Sequence, residues 1–450
     1  MLNLFSQPTS LCDGTTRRDI LRAGGAGLLG LNLPQILQAE ASGISPHRRA
    51  ESVIFLFLFG GPSQLETFDM KPEASAEIRG PFQSIAARTP GLKISEHLPR
   101  TAQVSDKFCL LKTMSHTFND HSGGGHYIQT GQRWQIPRGG GFSATPEDWP
   151  SMGSAVDYLS AQERGGGERP LPNYVVLPNS LGRLQNFAYR LVRPGEYAGW
   201  LGRGWDPITT AIEKKSSSDN PYWRDCTDEE LTFQIEGLVS GQGLNMNRLN
   251  RRRSLLQQFQ DQQRTLDNHT ATDAYDRFQQ RALALVTSEE TRKALDIRQE
   301  PAALRDRYGR HLFGQSTLMA RRLVEAGVRF CTVHYDCVDG YSWDSHRNST
   351  DLQNNLLPTM DQAYSALLED LEDRGLLDTT LVVCMGEMGR TPKPTPTWGR
   401  GHWSTLFPAL LAGAGIQGGT IYGETDGDAA YPVSGVTSPE DLAATIYQAL

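Results

Sequence analysis

Val53-Ile54-Phe55-Leu56-Phe57-Leu58-Phe59-Gly60-Gly61-Pro62 is the stretch on which the fold turns. An unbroken apolar run, too short for an ordinary helix and stopped by two glycines and a proline, reads as a strand buried on both faces. Comparable runs recur at Phe108 to Leu111, Tyr174 to Leu177, Arg329 to His334, Thr380 to Met385 and Ala409 to Ala412. Amphipathic helical patterns lie between them: Met152 to Gln162, a segment from about 310 to Ala326, and Leu352 to Arg374, which closes on Gly375. Buried strands alternating with amphipathic helices predict an α/β fold, a mostly parallel sheet with helices on both faces.

The remaining composition narrows the function. The chain has 450 residues, 38% hydrophobic and 21% charged, with a formal net charge of -7. That length fits two or three average domains, or one large α/β domain with insertions. An acidic balance excludes the basic footprint of a nucleic-acid binder, and the run Arg251-Arg252-Arg253 reads as a solvated helix face. From about Asn245 to Tyr308 the chain is rich in Gln, Arg, Asp and Leu, which predicts a helical insertion, with Thr287-Ser288-Glu289-Glu290 as a capping box.

Residues 1–41 read as an export signal of the twin-arginine type. Thr16-Arg17-Arg18-Asp19-Ile20-Leu21-Arg22 precedes a weakly apolar, Gly-rich stretch from Ala23 to Leu33, and Ala39-Glu40-Ala41 offers a small-x-small cleavage site. The apolar stretch is too short and interrupted for a permanent membrane span, so the expected location is periplasmic or extracellular. Cys12 falls in the signal, leaving five cysteines, of which Cys331 and Cys384 sit in expected strands as small apolar residues. There is no Cys-x-x-Cys pair, which argues against a thiolate zinc site. Ser438-Pro439-Glu440-Asp441 opens a helix that runs to Leu450, which reads as a truncated C-terminus.

Chemistry concentrates in the loops that follow these strands. Three of the ten histidines, His116, His121 and His126, crowd with Asp120 into residues 115–126. Trp343-Asp344-Ser345-His346, Gly386-Glu387-Met388-Gly389-Arg390-Thr391-Pro392 and Gly399-Arg400-Gly401-His402-Trp403 follow downstream. In open α/β sheets ligands bind beyond the C-terminal strand ends, and imidazoles and carboxylates set among glycines suit convergence on a metal or an anion.

The run 58–69 (Leu-Phe-Gly-Gly-Pro-Ser-Gln-Leu-Glu-Thr-Phe-Asp), the Ser-His and Asp-His segment, Trp-Asp-Ser-His, Gly-Glu-Met-Gly-Arg-Thr-Pro and Gly-Arg-Gly-His-Trp resemble the bacterial domain-of-unknown-function family 1501. The resemblance implies an alkaline-phosphatase and sulfatase-like fold, with metal ligands on loops after successive strands. It places Glu66 or Asp69 as the first-strand carboxylate, Ser115 or Thr113 as the nucleophile, Asp344 and His346 as paired ligands, Glu387 as the late carboxylate and His402 as the last histidine. The 116–126 cluster holds more histidines than that plan requires: His116 and His121 are candidate ligands, and His121 or His126 would reach the site from a new direction. Zinc, manganese, iron or calcium would serve, and the implied substrate is an anionic ester, a phosphate or sulfate, possibly on a glycan. Two departures bear on this. Glu387 is followed by Met388 and Gly389 where phosphatases of this fold carry an Asp-His pair, so a single-metal or rearranged site is expected. No Cys-x-Pro-x-Arg occurs, which excludes the formylglycine route of most sulfatases.

Simpler roles stand beside these. His116 and His121 fit a hydrogen-bonded turn as well as a ligand set. His126 reads as structural, on a helix starting near Gly125; His334 reads as a core histidine; His97, His269 and His311 read as surface or supporting residues. Arg390 is either an anion clamp or a partner of Glu387. Gly60-Gly61-Pro62-Ser63 is either an anion nest or a tight turn. Two function classes follow: an exported metal-dependent ester hydrolase, or a non-catalytic exported binding protein that keeps the fold. Oligomeric state is not legible.

Overall fold

Why the apolar runs become central strands is visible in their register. The computed structural model describes residues 50–134, 144–163, 171–178, 193–212, 215–216, 219–235, 289–335 and 343–450. Nine strands form the main sheet: β1 (Ser52–Phe57), β2 (Phe108–Met114), β3 (Tyr174–Leu177), β4 (Ile208–Ala211), β5 (Gln234–Ile235), β6 (Phe330–His334), β7 (Thr380–Met385), β8 (Phe407–Ala412) and β9 (Thr420–Tyr422). Their order is β9-β2-β8-β7-β1-β6-β3-β4-β5. β1 lies at the centre, paired in parallel with β6 through Val53 and Phe330 and with β7 through Val53 and Leu381. β8 runs antiparallel to both of its neighbours, β2 and β7, and β5 antiparallel to β4; the remaining strands share one direction.

Strand residues alternate between two apolar layers, as the period of two requires. Ile54, Leu56, Val175, Leu177, Cys331, Val333, Val382 and Cys384 point to one side and pack with helical residues such as Phe313, Leu318, Leu323, Leu357, Leu367 and Leu371. Val53, Phe55, Phe57, Val176, Phe330, Leu381 and Val383 point to the other and meet Ile128, Met152, Val156, Leu442 and Ile446. The helices that cover the sheet are α1 (His121–Thr130), α2 (Met152–Glu163), α3 (Glu289–Leu295), α4 (Ala302–Tyr308), α5 (Leu312–Glu325), α6 (Leu357–Asp373) and α7 (Pro439–Ala449). Faces α5 and α6 contribute to the first layer and α1, α2 and α7 to the second, so both sides of the sheet are covered.

Local signals set the boundaries. Ser438 caps α7 through a reciprocal pair with Asp441, with Pro439 at the first helical position. α1 begins at His121 and not near Gly125, because the Asp120 carboxylate accepts the Gly123 amide at 2.7 Å and caps the helix earlier. Residues 1–49, which hold the expected export signal, and 245–288, most of the expected insertion, lie outside the described residues; the described stretch 289–308 carries α3 and α4. His311, expected as a surface or supporting residue, is buried as the N-cap of α5, its Nδ1 accepting the Gly314 amide at 3.1 Å. His97 is half-buried against Phe82, and His269 lies outside the described residues. Cys109, Cys226, Cys331 and Cys384 are free thiols. No helix among the described residues is long and apolar enough to cross a membrane.

Candidate metal centre

The strands deliver the unusual loops to one edge of the sheet. β1, β2, β6 and β7 end there, and β8, which runs the other way, begins there. The turn after β1 is the floor. Gly60 and Gly61 take φ of 113° and 80°, and a Cβ on Gly60 would sit 2.3 Å from the Asp344 amide nitrogen. Only glycine lets these loops approach so closely. The segment is the tight turn, closed by the Gly61 amide on the Leu58 carbonyl at 3.4 Å, and its Gly60 amide donates to both oxygens of Glu387, at 2.9 and 3.0 Å, while the Gly60 and Gly61 carbonyls accept from Arg390. The anion it holds is the protein's own.

One carboxylate oxygen, Asp344 Oδ1, is the focus. His121 Nε2 and His402 Nε2 each stand 3.2 Å from it, His346 Nε2 stands 2.9 Å away, and Arg390 Nη2 2.5 Å away. Among the described residues, His121, Asp344 and His402 form the group able to hold a metal, their ligand atoms all within 4.8 Å of one another. Ligand atoms about 3.3 Å apart are what tetrahedral bonds of about 2.0 Å produce, so the spacing suits a small divalent ion. His346, its side chain 46% exposed, lies on the solvent side, 2.9 Å from His402 Nε2.

Hydrogen bonds on the far sides of the rings decide which nitrogen faces the centre. A carbonyl can only accept, so the 2.9 Å contact of His402 Nδ1 with the Asn119 carbonyl puts the proton on Nδ1 and leaves Nε2 to the site. His121 Nδ1 lies 2.5 Å from Glu387 Oε1, and its buried Nε2, 3.2 Å from Asp344 Oδ1, makes no well-aligned hydrogen bond among the described residues. Burial opposes charge on His121, but Asp344 and Glu387 outweigh it and raise its pKa to about 9. Burial likewise works against the Asp344 carboxylate, yet His121, His346, His402 and Arg390 hold it far below the usual carboxylate range.

Several expected ligands are placed elsewhere. His116 donates from Nε2 to the Glu387 carbonyl at 2.6 Å and accepts the Phe118 amide on Nδ1 at 3.1 Å, so both ring nitrogens are engaged; burial lowers its pKa. Glu66 is buried in an ion pair with Arg400 at 2.7 Å. Asp69 is held by Lys112 at 2.9 Å, Lys71 at 3.2 Å and the Thr425 hydroxyl at 2.6 Å. Glu387 stands behind His121 instead of beside Asp344. Arg390 is fully buried, and its guanidinium reaches Asp344, His346 Nε2 at 3.4 Å and the carbonyls of Gly60, Gly61 and Arg400, in place of Glu387 or an open anion pocket. Ser115 is half-buried at the end of β2 with its amide on the Thr437 carbonyl at 2.9 Å; its hydroxyl makes no hydrogen bond among the described residues. Thr113, two residues earlier within β2, donates to the Gly435 carbonyl at 2.5 Å.

Two further residues matter that sequence reasoning passed over. The Asn119 carbonyl orients His402 while its side chain accepts the Ser404 amide at 2.7 Å, and Arg400 ties the Gly-Arg-Gly-His loop to Glu66 and to the carbonyls of Thr391 and Pro392. A buried arginine between two glycines next to a histidine was the available signal. His126 is buried with Nε2 accepting the Trp149 amide at 3.3 Å, and His334 stands 3.6 Å from Glu196, both away from the Asp344 centre.

Comparison with known proteins gives the following. Among solved structures, the chain is similar to a sulfatase from Pseudoalteromonas sp. (12% identity, 93% of this chain and 72% of that chain, TM-score 0.39). It is also similar to the alkaline phosphatase of the Antarctic bacterium TAB5 (12% identity, 89% and 98%, TM-score 0.35). A third is the lipoteichoic acid synthase LtaP of Listeria monocytogenes (10% identity, 89% and 72%, TM-score 0.37). Among curated proteins none matches. The sequence model of the family described as "Protein of unknown function (DUF1501)" matches residues 50–450, and the chain belongs to that family.

Proposed function

We propose that this chain is an exported, metal-dependent hydrolase of phosphate or sulfate esters, with one divalent ion held by His121 Nε2, Asp344 and His402 Nε2. The observation that carries the reading is the convergence of these three ligand atoms within 4.8 Å from three segments far apart in the sequence. Their chemistry narrows the ion: two imidazoles and a carboxylate suit zinc, iron or manganese, whereas calcium takes six to eight oxygens and fits poorly. When bound, the ion would neutralise the ester's anionic oxygens and lower the pKa of an attacking hydroxyl. The chain's own residues do the rest. Arg390, locked by three carbonyls, fixes Asp344; the Asn119 carbonyl fixes the ring of His402; and His346 stands on the exposed side, where an ester would enter.

The test is the metal content of the full chain, purified without chelator or polyhistidine tag, followed by turnover of aryl phosphate and aryl sulfate esters. Near-stoichiometric transition metal with turnover of either ester supports the reading; correctly folded protein that takes up no metal overturns it. A second reading, a binding protein without turnover, is favoured by one observation: neither the Ser115 hydroxyl nor the guanidinium of Arg390 is set for chemistry on a substrate. Metal bound without ester turnover would support that alternative.

A further inference from the structure

Glu387 is the most deeply buried carboxylate near the centre, and the metal reading leaves it without a task. Its side chain has no exposure, and it is tied on three sides. Oε1 contacts His121 Nδ1 at 2.5 Å, and both oxygens accept the Gly60 amide. Its own carbonyl takes the Nε2 proton of His116 at 2.6 Å. A carboxylate with two charge-assisted contacts is fixed in one orientation, so the ring it faces is fixed too. Phe59 closes another side of that ring, with centroids 5.2 Å apart.

We propose that Glu387 is a positioning residue: it accepts the Nδ1 proton of His121 and thereby keeps Nε2 as the lone pair offered to a divalent transition metal. The inference rests on the metal-site reading above. An ionised carboxylate has only acceptors, so the nitrogen facing Glu387 carries the proton, and the opposite nitrogen, 3.2 Å from Asp344, is the one left for coordination. Outer partners of this kind hold ring orientation and raise the basicity of the ligating nitrogen.

Glu387→Gln separates orientation from packing because it keeps size and shape. The amide oxygen takes the Gly60 amide, which leaves the amide nitrogen facing His121 Nδ1. A donor there demands a lone pair on Nδ1 and drives the proton to Nε2, the nitrogen the metal needs. Zinc affinity, measured by calorimetric titration with zinc alone on the full chain, is expected to fall about 10- to 100-fold in Glu387→Gln. Glu387→Asp, which retains an acceptor-only group, should recover part of it. Long-range 1H–15N spectra of the zinc-loaded wild type should show His121 bound through Nε2 with a proton on Nδ1. Unchanged zinc affinity in a folded Glu387→Gln protein, or His121 bound through Nδ1, overturns the inference while the metal site survives. No zinc uptake by the wild type instead removes the reading on which it rests. Should Glu387→Gln fail to fold, the wild-type spectrum still decides.

Discussion

At the residue scale, roles are set by what lies behind each side chain. Asp344 and His402 are ligand atoms in the proposed centre, whereas Glu66 and Asp69 have their charge satisfied by Arg400 and by Lys71 and Lys112. Asp344→Ala and His402→Ala are therefore expected to reduce bound metal from near-stoichiometric to trace, read by elemental mass spectrometry on dialysed protein. Asp69→Asn should leave it unchanged, and equal metal in all three variants would show that the ion sits elsewhere. Ser115 permits a second comparison. A serine nucleophile is activated by a base within hydrogen-bond reach or by a metal, and the neighbouring His116 has both nitrogens engaged. Ser115→Ala is expected to keep ester turnover within about threefold of wild type. A loss of several hundredfold with metal retained would instead make Ser115 the nucleophile, activated by the ion alone. Which carboxylate to propose as the ligand and which as the orienting group was not legible in the sequence. Asp344 and Glu387 are chemically alike, and only the distances behind His121 distinguish them.

At the element scale, the legible part of the fold was the part buried on both faces. β1, β2, β3, β6, β7 and most of β8 announce themselves as apolar runs because central parallel strands meet a helix layer on each side. β4, with Thr209 and Thr210, and the two-residue β5 lie toward one edge and β9 forms the other, where little two-sided burial is needed, so no run marks them. Pro408 hid the start of β8: its pairing with β2 is irregular between Phe407 and Ala409, as a residue without an amide proton requires. The reversed direction of β8 left no trace either, since an apolar strand reads alike in both senses. The turn that ends β1 can be tested as an element. Gly60→Ala adds a Cβ into the Asp344 backbone at a φ of 113°, whereas Gly91→Ala, at a φ of 79°, meets nothing within 4 Å. Strain alone is expected to lower stability by about 1 kcal/mol in Gly91→Ala, and strain plus clash by roughly 3 kcal/mol or more in Gly60→Ala, with metal affinity reduced only in the latter. Equal unfolding midpoints for the two variants would mean that the loops are not held as closely as the turn requires.

At the scale of the whole molecule, folding places several histidines where a proton is unwelcome, and that makes stability depend on pH. His311 is the clearest: burial pushes its pKa down to about 3, and His126 follows with a value lowered to about 4, burial again leading. An unfolded chain binds a proton at each of these rings near pH 6.5, while the folded chain refuses it until far lower pH. Between those limits the unfolded state holds more protons, so stability is complete above about pH 6.5 and declines as pH falls. For His311 the loss reaches about 2 kcal/mol at pH 5. The ring cannot simply be deleted, because its Nδ1 caps α5 by accepting the Gly314 amide. Asparagine supplies an equivalent acceptor and does not titrate. His311→Asn is therefore expected to be somewhat less stable than wild type at pH 7, through lost packing, yet to lose about 2 kcal/mol less between pH 7 and pH 5 in urea unfolding. Parallel pH profiles for the two proteins would show that His311 accepts a proton in the folded state, and that the turn at Gly309 and the start of α5 open to admit it.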